Sequence, residues 1–334
     1  MKKLTIFFSL TALLFLLVLF FIFLDLLHYS EQPAESEPVE KFITVDQGES
    51  FKSLVSKLRD AGIIRHPLKF RLLGRIKGYE KKIKAGEYRL SAVMPPAEIL
   101  EKILKGDVHL YRLTVPEGYN LHQIALAVEE TGLGTKTGFI AAATDSSLVH
   151  EKGIDAGTFE GYLFPETYYF PKTVTSRKII SAMVRRFRSV FTDDWKKQAE
   201  KLGLSIHQVV TLASIIEKET GAVEERPIIS SVFHNRLKKG MRLESDPTVI
   251  YGITDFDGNI TRKHLTTPNP YNTYLMKGLP PGPIASPGLK ALEAALFPED
   301  TRFFYFVSKR DGTHQFSANL NDHNQAVRKY QMRR

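Results

Sequence analysis

Apolar positions along the chain change character several times. Residues 4–24 form an uncharged run of 21, broken only by Thr5, Ser9 and Thr11. As a helix rising about 1.5 Å per residue the run is roughly 31 Å long, matching a hydrocarbon core of about 30 Å, so it predicts a membrane span. A cleaved signal peptide carries a shorter apolar core and ends in small residues. Here Phe23, Leu24, Leu26 and Leu27 stand at that end instead, which predicts that the segment is retained. Residues 29–40, YSEQPAESEPVE, are almost without apolar content and contain two prolines; they read as a short extended linker.

Beyond the linker the periodicity is that of a folded chain. TVDQGESFKSLVSKLRDAG at 44–62 returns as TVPEGYNLHQIALAVEETG at 114–132. In both, Thr-Val closes a strand, Gly48 or Gly118 turns the chain, Ser50 or Asn120 caps, and a helix runs to Gly62 or Gly132. Phe51, Leu54, Val55 and Leu58 keep helical spacing in the first copy, as do Leu121, Ile124, Ala125 and Val128 in the second. True repetition and chance recurrence of a common unit both account for this. The phrase TV-x-x-G-x-[ST]-[LF] resembles the first half of a LysM module, a glycan-binding βααβ unit, although neither copy shows a clear second half.

Pro95 and Pro96 open a further helix carrying Ile99, Leu100, Ile103 and Leu104 and ending at Gly106. Helical spacing then predicts helices at 137–143, 176–191, 194–202 and 206–220, the last capped by Ser205. Strands at 303–307 and 314–316, joined through Arg310-Asp311-Gly312, predict a hairpin, and a final helix is expected with Asn321 as its cap. The fold class is therefore α+β: a cytoplasmic N-terminus and transmembrane anchor at 1–28, a linker at 29–40, a small LysM-like α+β domain at 41–112, and a larger mixed α+β domain at 113–334.

Charge sharpens the topology. Lys2 and Lys3 precede the span, and the next strongly basic residue is Lys41, so the positive-inside rule keeps the N-terminus cytoplasmic and exports the rest. Residues 1–40 hold two basic and five acidic side chains, which leaves 44 basic against 32 acidic beyond them, a net of +12. Charge alone suggests nucleic acid; an exported chain meets envelope polymers and anionic headgroups instead. With no cysteine in the sequence, disulfides, thiol catalysis, Cys-ligated zinc and iron–sulfur clusters are excluded. No Walker loop, GxGxxG, HExxH or GxSxG string is present, and the ten histidines are scattered without a ligand spacing. No metal or cofactor is expected.

Chemistry concentrates in LASIIEKETGAVEERPIISSVFHNRLKKGMRLESDPTVIYG, residues 212–252. Its opening helix is mostly apolar and carries acids only at the C-terminal end, where the macrodipole disfavours ionisation and nudges a carboxyl toward the protonated form a general acid needs. With Val209 at zero and about 100° per residue, Glu217 lies near +80° and Glu219 near −80°. They diverge and cannot form one close pair. Surface pairing with Lys218 or Arg226 accounts for them more simply on composition alone, and a second glycosidase carboxylate from Asp246, Glu244 or Glu166 has no support from spacing.

EGYLFPETY at 160–168, LASIIEKET at 212–220, HNRL at 234–237, MRLESDPTVIYG at 241–252, YNTY at 271–274 and GLPPGPIASPG at 278–288 resemble the YceG/MltG family, membrane-bound endolytic murein transglycosylases. The likeness runs from the anchor to the C-terminal helix. It implies a YceG-like catalytic domain at 113–334, peptidoglycan glycan strands as substrate, penicillin-binding synthases as partners, no nucleic acid, and a single-pass place in the cell (inner) membrane. By the same resemblance the second glutamate of the EKE triplet, Glu219, is the catalytic residue. Its pKa would be raised beside Ile215 and Ile216, and it would cut between N-acetylmuramic acid and N-acetylglucosamine to leave a 1,6-anhydro end. Glu217, Asn235, Asp246, Tyr251, Tyr271, Asn272 and Tyr274 are the candidate substrate contacts, as hydrogen-bonding groups and aromatic faces of the kind saccharides use. A lysozyme-type hydrolase and a non-catalytic glycan-binding scaffold are the competing readings.

Overall fold

A computed structural model describes residues 2–332, with side chains from residue 6. It divides into two compact units: the chain up to Tyr111 together with Pro171–Thr173, and Arg112–Phe170 together with the chain from Val174 onward.

The first unit begins with α1, Lys2–Glu31. Within it Ile6–Glu31 is long and apolar enough to cross a membrane. Then follow β1 (Glu40–Val45), α2 (Phe51–Asp60), α3 (Pro67–Ile76), β2 (Gly86–Ser91) and α4 (Pro96–Lys105). β1 and β2 pair antiparallel, from Glu40 opposite Ser91 to Val45 opposite Gly86. The Ser50 side chain caps α2 by accepting from the Ser53 N–H, and Phe51, Leu54, Val55 and Leu58 are buried as their spacing requires. Each such side chain contributes roughly 1.5–3 kcal/mol on burial. α3 escaped the sequence reading, although Pro67 at its first turn is a start signal. It crosses α2 closely: a Cβ on Gly74 would fall 2.4 Å from the Phe51 ring. With α3 and β2 in place the unit has the order β-α-α-β. The stretch without helix or strand is shorter than the expected linker, covering residues 32–39. α1 continues to Glu31, Leu26 and Tyr29 join the core of this unit, and the Glu35 N–H donates to Ala92 O at 3.0 Å. Leu26 and Tyr29 supply the apolar contacts that carry the helix past the predicted boundary.

The chain enters the second unit along β3 (Leu110–Thr114), followed by α5 (Leu121–Glu130), α6 (Lys136–Ala143), α7 (Ser146–Glu151), β4 (Thr167–Pro171), α8 (Ser176–Val190), α9 (Asp193–Lys201), α10 (Ile206–Glu219), α11 (Arg226–Lys238), α12 (Asp246–Tyr251), α13 (Arg262–Thr266), α14 (Leu289–Leu296), β5 (Tyr305–Ser308), β6 (His314–Ser317) and α15 (Leu320–Tyr330). The strands form two-stranded pairs, β3 with β4 and β5 with β6, the latter antiparallel as the hairpin reading expects. α15 is capped by Asn319, whose side chain accepts from Asp322 N–H. Asn321 lies inside the helix, a correction: the cap is the residue whose side chain reaches a free N–H of the first turn, and Asn319 does so.

α10 is the central element. Ser205 and Gln208 close a reciprocal capping box at its start. Every residue from 209 to 216 is buried, the condition of a helix enclosed on all sides. It packs against α14, α11, α12 and α9.

Candidate active site

Glu217, Lys218 and Glu219 end α10 and leave it in three directions. Glu217 turns inward, where Oε1 accepts from Arg226 Nη2 at 2.7 Å and Oε2 from the Gly288 N–H at 3.0 Å. Both charged side chains of that ion pair are 6% exposed. Lys218 donates to the Gly118 carbonyl at 3.3 Å. Glu219, the last helical residue, is half-buried and accepts from the Ser245 hydroxyl. Burial pushes its carboxyl up from 4.5 to about 7; the charge of Asp246 adds to this, while the Ser245 hydrogen bond and the Arg236 charge oppose it. A carboxyl poised there is protonated often enough to donate and ionised often enough to accept.

Ser245 is delivered by a loop in an unusual conformation. Glu244 takes φ 48°, a left-handed state that costs a non-glycine residue of order ~1–3 kcal/mol. Arg236 holds the loop: Nη1 donates to the Leu243 carbonyl at 2.8 Å and the Glu244 carboxylate at 3.3 Å, and Nε to the Phe304 carbonyl at 2.7 Å. Thr273 holds the other side, its carbonyl accepting from Glu244 N–H at 3.2 Å and its hydroxyl from Ser245 N–H at 3.0 Å. Tyr274 Oη donates to Asp246 Oδ1 at 2.7 Å.

A second acid stands at the other end of α12. Glu160 is 5% exposed; its Oε2 accepts from the Tyr251 hydroxyl at 3.0 Å and from the Leu121 N–H at 3.2 Å. Burial raises its carboxyl to about 7 against those hydrogen bonds. The Tyr251 and Tyr271 rings lie 4.7 Å apart at 58°.

The proline-rich segment 278–288 is fastened along α10 at three places. His207 Nε2 reaches the Pro281 carbonyl at 2.9 Å, Ser214 Oγ accepts from Ile284 N–H at 3.0 Å, and Glu217 accepts from Gly288 N–H at 3.0 Å. At about 100° per residue these three positions fall within an arc of roughly 80°, and Glu219 lies well outside it, free of the fastening. Gly161 packs beneath the segment: with φ +83° it has no room for a Cβ, which would meet Pro283 at 2.5 Å and Val210 at 2.9 Å. Tyr162 completes the attachment through its hydroxyl, 2.9 Å from His207 Nδ1. Glu160, Gly161 and Tyr162 thus each engage a different element: Tyr251, Pro283 and His207.

Residues 43–329 match the model of the YceG-like family. The chain belongs to the YceG-like family. It is 35% identical over 316 residues to an endolytic murein transglycosylase of Bacillus subtilis, covering 88% of this chain and 87% of that one. A pneumococcal endolytic murein transglycosylase (Streptococcus pneumoniae D39) is 29% identical over 322 residues, 86% of this chain and 58% of the longer relative. Among solved structures, a yceG-like protein of Listeria monocytogenes superposes with a TM-score of 0.60 at 32% identity, covering 86% of this chain and 99% of that chain.

In this YceG-like chain the residues singled out from sequence separate into two groups. Asp246 and Tyr274 gather beside Glu219, and Tyr251 and Tyr271 gather beside Glu160. Glu217, Asn235 and Asn272 make hydrogen bonds that tie neighbouring elements together. Glu217 is locked to Arg226 and Gly288 as described. Asn235 Nδ2 donates to the carbonyls of Thr301 and Phe303 at 2.9 and 3.0 Å. Asn272, 1% exposed, donates to the Thr267 carbonyl at 2.9 Å and accepts from Tyr274 N–H at 3.0 Å. Glu244 pairs with Arg236, and Glu166 with Arg186 at 2.6 Å. Sequence reasoning missed Ser245, Arg236 and Glu160 as site residues; the signal available was their place inside the quoted strings. A cavity of about 610 Å³ near the start of α10, lined by Tyr162, Phe187, Phe191 and His207, includes neither Glu219 nor Glu160. The perturbed carboxyls lie elsewhere.

Proposed function

We propose that this chain is an endolytic murein transglycosylase with Glu219 as its acid–base residue. The observation that carries the reading is the Glu219 carboxyl itself: half-buried, raised to about 7, and bordered by Asp246 and Tyr274. Protonated Glu219 donates to the glycosidic oxygen between N-acetylmuramic acid and N-acetylglucosamine as an oxocarbenium-like centre develops. The resulting carboxylate takes the proton of the muramoyl C6 hydroxyl, which attacks C1 of the same sugar. The products are a 1,6-anhydromuramoyl end and a new N-acetylglucosamine end. The nucleophile is intramolecular, so no second carboxylate has to activate water, and effective concentration supplies much of the rate. Glu217 serves instead to hold the end of α10. Asp246, Tyr251, Tyr271 and Tyr274 are the proposed sugar-facing groups.

The β-α-α-β order of the first unit supports a LysM-like glycan-binding role for it, and α1 supports single-pass anchoring, with Lys2 and Lys3 favouring a cytoplasmic N-terminus. Penicillin-binding synthases as partners follow from the family resemblance. The deciding experiment is the full chain in detergent, wild type and Glu219→Gln, acting on intact peptidoglycan with product masses read out. The wild type is expected to release anhydro-ended fragments and the variant none. Products heavier by one water would establish hydrolysis and overturn the mechanism; release unaffected by Glu219→Gln would remove Glu219 from its role. A C-terminal reporter active only in the cytoplasm would reverse the topology.

A further inference from the structure

The acid–base step leaves Glu160 unused, yet its carboxyl is deeply buried beside the tyrosine pair. Its two oxygens are treated unequally. Oε2 accepts both hydrogen bonds, from Leu121 N–H and from Tyr251 Oη, while Oε1 is buried without a partner. An uncompensated carboxyl of this kind is costly to keep, and a glutamine carbonyl could accept from the same two donors. What the carboxylate adds is strength: a hydrogen bond to an ionised acceptor is roughly twice as strong as one between neutral groups. The beneficiary is the Tyr251 phenol, whose ring lies against Tyr271. Both tyrosines are half-buried, and the Tyr271 hydroxyl lies beside Gly282 of the proline segment, 3.6 Å from where a Cβ would stand.

We infer that Glu160 is a positioning residue: through the Tyr251 hydroxyl it holds the Tyr251–Tyr271 pair as an aromatic platform for a pyranose ring, and its ionisation sets how firmly that platform is held. The inference rests on the reading that this site takes a glycan strand. Its direction with pH follows from the geometry. Above about 7 the carboxylate grips the phenol; below, the protonated acid is the weaker acceptor and the platform loosens. The titratable groups facing Glu160 are the Tyr251 and Tyr271 phenols, both held above the ordinary tyrosine value by burial. α5 contributes the Leu121 backbone N–H. His207 stands beside Gly282, as the Tyr271 hydroxyl does.

The test uses the full chain in detergent carrying Glu219→Gln, so that Glu219 neither cuts nor titrates, and measures binding to soluble uncleaved peptidoglycan strands as a function of pH. Affinity is expected to rise about tenfold on passing from acid through neutral to alkaline pH, the scale of a charge-assisted hydrogen bond gained. Adding Glu160→Gln should flatten the profile, and adding Tyr251→Phe should flatten it equally while leaving the Glu160 carboxyl in place. The second variant carries the test if the first fails to fold. A pH dependence that survives Glu160→Gln belongs to another group, His207 included, and overturns the proposal, as does a flat parent profile or an absence of binding. Cleavage by the wild type, measured separately, reports on Glu219 and the proposed reaction, so failure of one reading is distinguished from failure of the other.

Discussion

Ser245 and Asp246 are neighbours in sequence and act on Glu219 in opposite senses, which gives the acid–base assignment a sharp test. The Ser245 hydroxyl donates to the Glu219 carboxylate and favours ionisation, whereas the Asp246 charge disfavours it. A hydrogen bond to a charged group is worth about 1.5–3 kcal/mol, and one pH unit is about 1.36 kcal/mol. Ser245→Ala should therefore raise the Glu219 pKa further and move the alkaline limb of kcat up by roughly 1–2 pH units. Asp246→Asn keeps an oxygen acceptor for Tyr274 and removes only the charge, so the same limb should move down. The limb is alkaline because the acid must be protonated to donate to the leaving oxygen. The assay is the initial rate of release of anhydro-ended fragments from intact peptidoglycan by the full chain in detergent, at saturating substrate, from about pH 5 to about pH 9. Limbs that move together, or stay fixed in variants that retain activity, would refute the assignment of Glu219 as the titrating acid.

Stability carries the mark of the same two raised acids. A carboxyl held at about 7 in the folded state against 4.5 ordinarily contributes its full stability below the unfolded value and loses it as pH rises toward the folded one. The loss is about 3 kcal/mol per group. Denaturant unfolding should accordingly show Glu160→Gln and Glu219→Gln each flattening the decline between pH 4.5 and about 7, and a parallel decline in all three proteins would contradict the raised values. Arg226→Leu strands the buried Glu217 carboxylate and should cost about 3–5 kcal/mol in the same measurement; Glu217→Leu with Arg226→Leu should recover part of that, and an innocuous single variant would mean the pair carries no such constraint. Gly161→Ala forces a Cβ against Pro283 and Val210 at a positive φ. Its thermal midpoint should fall and its cleavage rate with it, while a variant as stable and active as the parent would show that the proline segment does not bear on this turn.

How much of this was legible beforehand depends on the kind of signal each feature leaves. α10 was readable because capping and length both leave patterns: Ser205 marks its start, and a mostly apolar stretch from 206 to 220 is too long for an ordinary buried strand. The divergence of Glu217 and Glu219 followed from the helical angle alone, and the structure uses that divergence to make one acid a fastening and set the other beside Ser245. Periodicity could not say which was which, because that depends on Arg226 and Gly288 arriving from nine and 71 residues away. The same limit explains Asn235 and Asn272. An amide reads alike in sequence whether it faces a sugar or satisfies backbone carbonyls, whether of a distant loop, as Asn235 does, or of the turn just before it, as Asn272 does. Glu160 left the least trace, since a single acid in a turn has no period, and only its neighbours Gly161 and Tyr162 mark the turn as constrained. The constraint is a chain of contacts: Tyr162 to His207, His207 to Pro281, Gly161 against Pro283, and Glu160 to Tyr251. Short contiguous strings in this protein are therefore places where several distant elements converge on a few adjacent residues, and that convergence, more than any individual side chain, makes them specific.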